Sequence, residues 1–269
     1  MSISICVSML DDDFLSHGEN VARAYARFDN LAIDWFILVQ TFKSKEELRI
    51  PKQLLNKVIV SNSLGLSESR NQCLSFCRTN YCIFADYDVF YDANSILKAT
   101  EFLQSYAQLP FGIINLHKPR DQKKDSVNYT PRNNMKQGDV RVVNGPNMLS
   151  RVFTPQIIWN VDFLKSSKLI FDKNLGLKPG KKILFFGEEY LLTLNCFILG
   201  KQFLLINVDC GYITKPSTGD KLNLLQKIIT FCYVMMVVKN LSPRQKIIFI
   251  FERIKSTKLY NSFKKRFLH

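Results

Sequence analysis

Along the first ten residues, Ile3, Ile5, Val7 and Met9 alternate with more polar positions, the two-residue period of a half-buried strand. Short apolar runs recur at 33–41, 57–61, 81–85 and 111–116, and with 2–9 they predict five strands. Between them, 67–78 and 94–108 carry helical spacing, with Ser67 and Asn94 placed as amino-terminal caps. Strands alternating with helices predict an α/β domain on a largely parallel sheet. Further on, Glu188 to Leu199 is apolar on nearly every face beyond its two acids and meets Gly200, which predicts a buried helix stopped by that glycine.

The pattern breaks after 111–116. Residues His117 to Arg141 form a long polar segment with seven Lys/Arg against three Asp, and irregular stretches of that length are commonly functional lids or disordered. We therefore divide the chain into 1–116, a second half at 117–220 that returns to mixed strand and helix, and a tail at 221–269. From Leu222 onward, ten Lys/Arg accompany the single acid Glu252 among Ile, Phe, Val and Met. Such a tail fits an amphipathic helix lying on an anionic membrane surface, and equally fits helices packed on the protein's own flank.

Composition bounds this picture. With 269 residues, 46% of them hydrophobic, the chain can bury a sizeable core, which excludes a disordered or fibrous protein. A net charge of +14 points to anionic partners: nucleic acid, phosphorylated substrates or lipid headgroups. The seven cysteines are odd in number, sit mostly in apolar stretches and show no metal-ligand spacing, so they read as buried thiols of a reducing compartment. The first residues lack the features of a signal peptide. The longest largely apolar run, Ile228 to Val238, has 11 residues, short of the roughly 17 to 25 of a spanning helix, so no transmembrane segment is predicted.

The candidate chemistry begins in "IFADYDVFYD", residues 83–92. In an extended strand Asp86 and Asp88 face one way and Tyr87 the other. Two carboxylates at a strand's carboxyl end can hold Mg²⁺ or Mn²⁺ that also ligates a diphosphate, at the end of an α/β sheet where ligands bind. Taken alone, the triplet reads more readily as an Asp-rich exposed turn, because such triplets are common.

Upstream context changes that. In "NSLGLSESRNQCLSFCRTNYCIFADYDVFYD", residues 62–92, Gly65, Leu66, Ser67, Arg70 and Asn71 precede Asp86 and Asp88 in a pattern that resembles the nucleotide-sugar-binding half of family 2 glycosyltransferases. A second stretch, 171–219, with "FDKNLG", "GEEYLL" and "STG", is similar to that family's later motifs. The resemblance covers roughly 1–220. It implies a GT-A, Rossmann-like fold with a mixed, mainly parallel central sheet, followed here by a helical tail. It implies a nucleoside-diphosphate-sugar donor, a Mn²⁺ or Mg²⁺ cofactor on Asp86 and Asp88, and donor contacts from Ser67, Arg70, Asn71, Asp86 and Gln40. It assigns the catalytic base to the acidic pair, Glu189 with Glu188 as its neighbour, for an inverting transfer to a hydroxyl. The acceptor it implies is a glycan, including one linked to polyprenyl diphosphate, at the cytoplasmic face of the cell membrane.

Three features depart from the family. The first strand runs into Asp11-Asp12-Asp13 instead of Pro-x-Tyr/Phe-Asn; the second ends in Val39-Gln40-Thr41 instead of an acidic pair; and no histidine stands near Lys215-Pro216-Ser217-Thr218. His17 and His117 fall at predicted loops and His269 at the terminus, while Trp159 reads as an acceptor contact or a core residue. Two other classes remain beside the transferase. A haloacid-dehalogenase-like phosphatase also uses an Asp-x-Asp, but after its first strand. A non-catalytic basic protein on a degenerate GT-A fold would bind membrane or nucleic acid, although no nucleic-acid module is recognisable and nucleic acid is not an expected partner.

Overall fold

The computed structural model describes residues 2–117, 135–145, 154–176, 187–214, 233–238 and 242–243. The alternating start becomes β1 (Ile3–Leu10), followed by α1 (Asp11–Tyr25), β2 (Ile33–Gln40), β3 (Val58–Ser61), α2 (Leu66–Phe76) and β4 (Tyr81–Ala85). A three-residue β5 (Val89–Tyr91), α3 (Ala93–Gln104) and β6 (Phe111–His117) complete the first half. The second half contributes β7 (Val140–Val143), β8 (Ile157–Asn160), α4 (Val161–Ser166), α5 (Glu188–Gly200) and β9 (Phe203–Ile213).

The nine strands among the described residues join one sheet in the order β3-β2-β1-β4-β8-β6-β9-β5, with β7 also paired to β9. β1 to β4 are mutually parallel, and β6 and β9 run the same way because β8 lies antiparallel between β4 and β6. β5, β7 and β8 run against them, so the sheet is mixed and mainly parallel.

Each face of the sheet is covered by helices, which is why its strands are apolar almost throughout. On one face Ile3, Ile5, Val7, Ile83 and Ile114 pack with Phe14 and Val21 of α1 and Ile96 and Leu103 of α3. On the other, Cys6, Phe84, Ile113 and Leu205 pack with Cys73 and Leu74 of α2, Leu164 of α4 and Leu192 of α5. Trp159 is fully buried there, with ring centroids 5.5 Å from Phe111 and 6.0 Å from Phe171, which makes it a core residue and not an acceptor contact. The six cysteines among the described residues are buried, and none of them forms a disulfide there.

Several local expectations are corrected. α2 starts from Gly65, and Ser67 is no cap: it lies inside the first turn, and its hydroxyl donates to the Leu175 carbonyl, 2.7 Å away. α3 is capped by Asp92, which accepts from the Ser95 amide at 2.9 Å, so Asn94 lies within the helix. α5 runs through Gly200, and Lys201 takes the left-handed turn at φ 58°. Gly200 instead provides space, since a Cβ there would stand 2.9 Å from the Pro110 ring. His17 lies within α1 and His117 ends β6, where loops were predicted, while His269 lies outside the described residues.

The tail reading falls mostly outside the described residues. Of the part described, Val234, Met235 and Val238 pack with Leu175, Leu191 and Leu194, so a piece of the apolar run covers α5. Among the described residues no helix is long and apolar enough to cross a membrane.

Candidate active site

The six co-directional strands bring their carboxyl ends to one edge, and β1, flanked by β2 and β4, marks the point where chain order reverses. Ligands of open α/β sheets bind at such an edge. There the Asp-x-Asp does not continue β4: residues 86–89 form a turn closed by the Val89 amide donating to the Asp86 carbonyl at 3.1 Å. Tyr87 does turn to the opposite face, where its ring stacks on His17 of α1 at 5.0 Å and 11°. The Asp88 carbonyl is held by the amide of Thr214 at 2.9 Å, beyond the end of β9.

Two glycines aim the helices at this edge. Gly65 (φ 124°) precedes α2 and Gly187 (φ 93°) precedes α5, both in the positive-φ region that side chains disfavour. The Gly65 amide donates to Gln40 Oε1 at 2.6 Å, so Gln40, expected at the nucleotide base, ties the end of β2 to the start of α2. One helix turn on, Arg70 reaches the site with its side chain only 4% exposed. Its Nη1 lies 2.7 Å from Glu188 Oε1 at the start of α5, and its Nη2 lies 3.5 Å from Asp86 Oδ1 at the end of β4. The guanidinium therefore joins acids that are 102 residues apart in the chain, the two clusters that the sequence motifs single out.

The same two motif segments are locked by further bonds. Asn71 donates to the Phe171 carbonyl at 2.9 Å and accepts from the Phe171 amide at 2.8 Å. The Arg70 guanidinium sits 5.7 Å above the Phe171 ring, and Lys173 pairs with Glu68 at 3.1 Å. Ser67 is fully buried and Asn71 is engaged on both amide atoms, so these two residues, read from the motif as donor contacts, hold the 171–176 loop in place.

The acidic pair is asymmetric. Glu188 is buried, and its Oε2 has no hydrogen-bond partner among the described residues. Burial pushes its carboxyl up to about 8; the Glu189 carboxylate adds to the rise and Arg70 opposes it. Glu189 is half-buried, at a helix start whose free amides favour a negative charge. Asp86, by contrast, is about half exposed.

Two pairs at this edge escaped the sequence reading. Asp11 accepts from Thr41 Oγ1 at 3.2 Å and from Lys43 Nζ at 2.8 Å; the Lys43 contact leads in holding its carboxyl below the ordinary range. His117 Nε2 lies 2.8 Å from Asp209 Oδ1 across β6 and β9. Neither pair has a local signature, since each forms between residues that are 30 or more positions apart.

No protein-family model matches the chain, and comparison with curated protein sequences finds no relative. Solved structures do match. S. aureus TarS superposes with a TM-score of 0.65 at 14% identity, over 98% of this chain and 45% of that one. Its 1–349 portion in complex with UDP-GlcNAc gives 0.63 at 15%, over 91% and 69%. The mannosyltransferase PcManGT from Pyrobaculum calidifontis, in complex with GDP-Man and Mn²⁺, gives 0.60 at 10%, over 95% and 70%. Glucosyl-3-phosphoglycerate synthase from Mycobacterium tuberculosis, in complex with Mg²⁺ and UDP, gives 0.54 at 12%, over 87% and 78%. The chain thus spans under half the length of the TarS structure and has the GT-A fold of these proteins.

Glu188 predicts a pH signature. Its folded carboxyl retains a proton that the unfolded chain releases in the ordinary carboxylate range, so this residue's contribution to stability falls as pH rises from about 4.5 towards about 8. Glu188→Gln removes that titration. The melting temperature of the variant minus that of the wild type should therefore rise steadily between pH 5 and pH 8 when followed by calorimetry in metal-free buffer, whereas a flat difference rules the shift out.

Proposed function

We propose that the protein is an inverting, metal-dependent glycosyltransferase of the family 2 type. It would move a sugar, a hexose, from a nucleoside-diphosphate sugar to a hydroxyl of a glycan acceptor in surface polysaccharide biosynthesis. The observation that carries this reading is the Arg70 bridge between Asp86 and Glu188, which joins both sequence motifs at the carboxyl edge of a GT-A sheet.

The donor set fits a hard divalent cation. Asp86 and Asp88 offer carboxylate oxygens beside solvent, and no group of three or more ligating side chains gathers among the described residues. Mn²⁺ or Mg²⁺ commonly keeps phosphate and water oxygens in the remaining positions. Bound there, the ion would neutralise charge on the departing diphosphate. The remaining steps belong to the chain. Glu189, the more exposed of the acidic pair, accepts the proton of the acceptor hydroxyl as its oxygen bonds to the anomeric carbon and the bond to the diphosphate oxygen breaks. Glu188, pinned by Arg70, fixes the start of α5 and so the position of its neighbour. Arg70 orients both acids from its buried position between them.

The acceptor is proposed to be carried on polyprenyl diphosphate at the inner face of the cell membrane, with the ten Lys/Arg of 222–269 drawing the protein to anionic headgroups. Co-sedimentation with vesicles of phosphatidylglycerol and phosphatidylcholine should capture the full chain at low salt and release it at high salt. Equal recovery with purely zwitterionic vesicles counts against the membrane role.

Catalysis and donor binding are separable by mutation. In a thermal-shift panel of nucleotide sugars with Mn²⁺, one donor should stabilise the wild type, and Asp88→Ala should lose that metal-dependent shift. Glu189→Gln should keep the shift and lose about 10² to 10⁴ in transfer rate. A panel with no stabilising nucleotide sugar argues against the enzyme.

A further inference from the structure

The sheet face that carries Asp86 and Arg70 holds a second group of side chains at the same edge. On β6, Ile114 and Leu116 pack towards α1 and α3, and Phe111 and Ile113 towards α2 and α5. Side chains alternate along a strand, so Asn115 and His117 face the α2 and α5 side. On β9, Leu204, Ile206, Val208 and Cys210 point the other way, which leaves Asn207 and Asp209 beside them. On β5, Val89 and Tyr91 pack towards α1 and α3, which turns Phe90 to the same face as His117. The register agrees: Tyr212 pairs directly with Phe90 on one side and His117 on the other, and directly paired residues share a face.

This row is both apolar and polar. The Phe90 and Tyr212 rings lie 5.5 Å apart at 31°, and Tyr212 remains 46% exposed. Beside them His117 Nε2 meets Asp209 Oδ1 at 2.8 Å. Asp209 Oδ1 is also held by Asn115 Nδ2 at 3.0 Å, and Asn115 bonds to the buried Asn207 Oδ1 at 2.8 Å. A buried amide pair thus fixes a carboxylate, which fixes an imidazole, beside two solvent-facing rings. The row also abuts the proposed metal acids: Phe90 is two residues beyond Asp88, whose carbonyl accepts from Thr214, two residues beyond Tyr212.

We propose that Phe90, Tyr212, His117 and Asp209 form the subsite for a sugar ring of the acceptor. A pyranose has an apolar C–H face and a rim of hydroxyls, and this surface offers flat rings next to an oriented imidazole and a carboxylate, the mixture of apolar lining and few placed polar groups that small-molecule sites use. The Asp209 carboxylate disfavours a phosphate or an anionic headgroup at this position. The inference rests on the glycosyltransferase reading, whose donor side lies at the neighbouring acids.

The test uses methyl glycosides of glucose, galactose, mannose and N-acetylglucosamine as probes, followed by saturation-transfer NMR with and without UDP or GDP plus Mn²⁺. At least one glycoside should bind the wild type. Its affinity should fall at least tenfold in Tyr212→Ala and in His117→Ala, while the affinity for the nucleotide with Mn²⁺ changes less than twofold and the melting temperatures confirm folding. Three results overturn the proposal: no glycoside binds, glycoside binding ignores both substitutions, or Tyr212→Ala weakens the nucleotide and so marks the rings as a base platform. Failure of every nucleotide to bind would instead overturn the transferase reading, and the glycoside arm would still decide the subsite.

Discussion

A guanidinium withdrawn from water is the constraint around which the site is arranged. Arg70 is buried almost completely, so its guanidinium needs acceptors, and a Glu188 carboxyl oxygen at 2.7 Å supplies one from another helix. Desolvating the guanidinium costs several kcal/mol, which good geometry and further hydrogen bonds have to offset. Arginine suits this role because its planar fork can address two acceptors at once. The contact with the half-exposed Asp86 contributes little to stability and mainly sets direction. The result is a carboxylate turn and a helix start placed beside each other before any ligand arrives, the preorganisation on which electrostatic catalysis depends.

The other bonds serve that placement. Asn71 and Ser67 fasten the 171–176 loop to α2, and Gln40 fastens α2 to the end of β2. Gly65 and Gly187 permit backbone turns that start each helix at the edge. Ser67, Asn71 and Gln40 thus hold the edge together, while Asp86 and, further along it, His117 and Tyr212 remain in contact with solvent.

Much of this was legible in the sequence. The apolar runs at 2–9, 33–41, 57–61, 81–85 and 111–116 became β1, β2, β3, β4 and β6 with ends shifted by at most a residue or so, because the first carries a clean two-residue alternation and the others are dense in apolar residues. β5 was hidden, since Val89-Phe90-Tyr91 is only three residues long and flanked by acids. The caps were misplaced because a cap is decided by where the backbone leaves the preceding strand, which put Asp92 and Gly65 at positions assigned to Asn94 and Ser67. The motifs drew attention to Arg70, Asp86 and Glu188 separately, but their pairing across 16 and 118 positions depends on tertiary packing. His117 and Asp209 lacked even a motif, for their meeting depends on a bulged register between β6 and β9.

The convergence of the two acidic clusters through Arg70 is tested most directly by a double-mutant cycle in urea unfolding with Arg70→Met, Glu188→Leu and the two together. At about pH 9, where Glu188 is ionised, each single change strands a buried charge and should cost about 3 to 5 kcal/mol. The double variant removes both charges and should lose far less than the sum, with a coupling of at least about 1 kcal/mol. Costs that add to within about 0.5 kcal/mol would show that the two side chains do not meet.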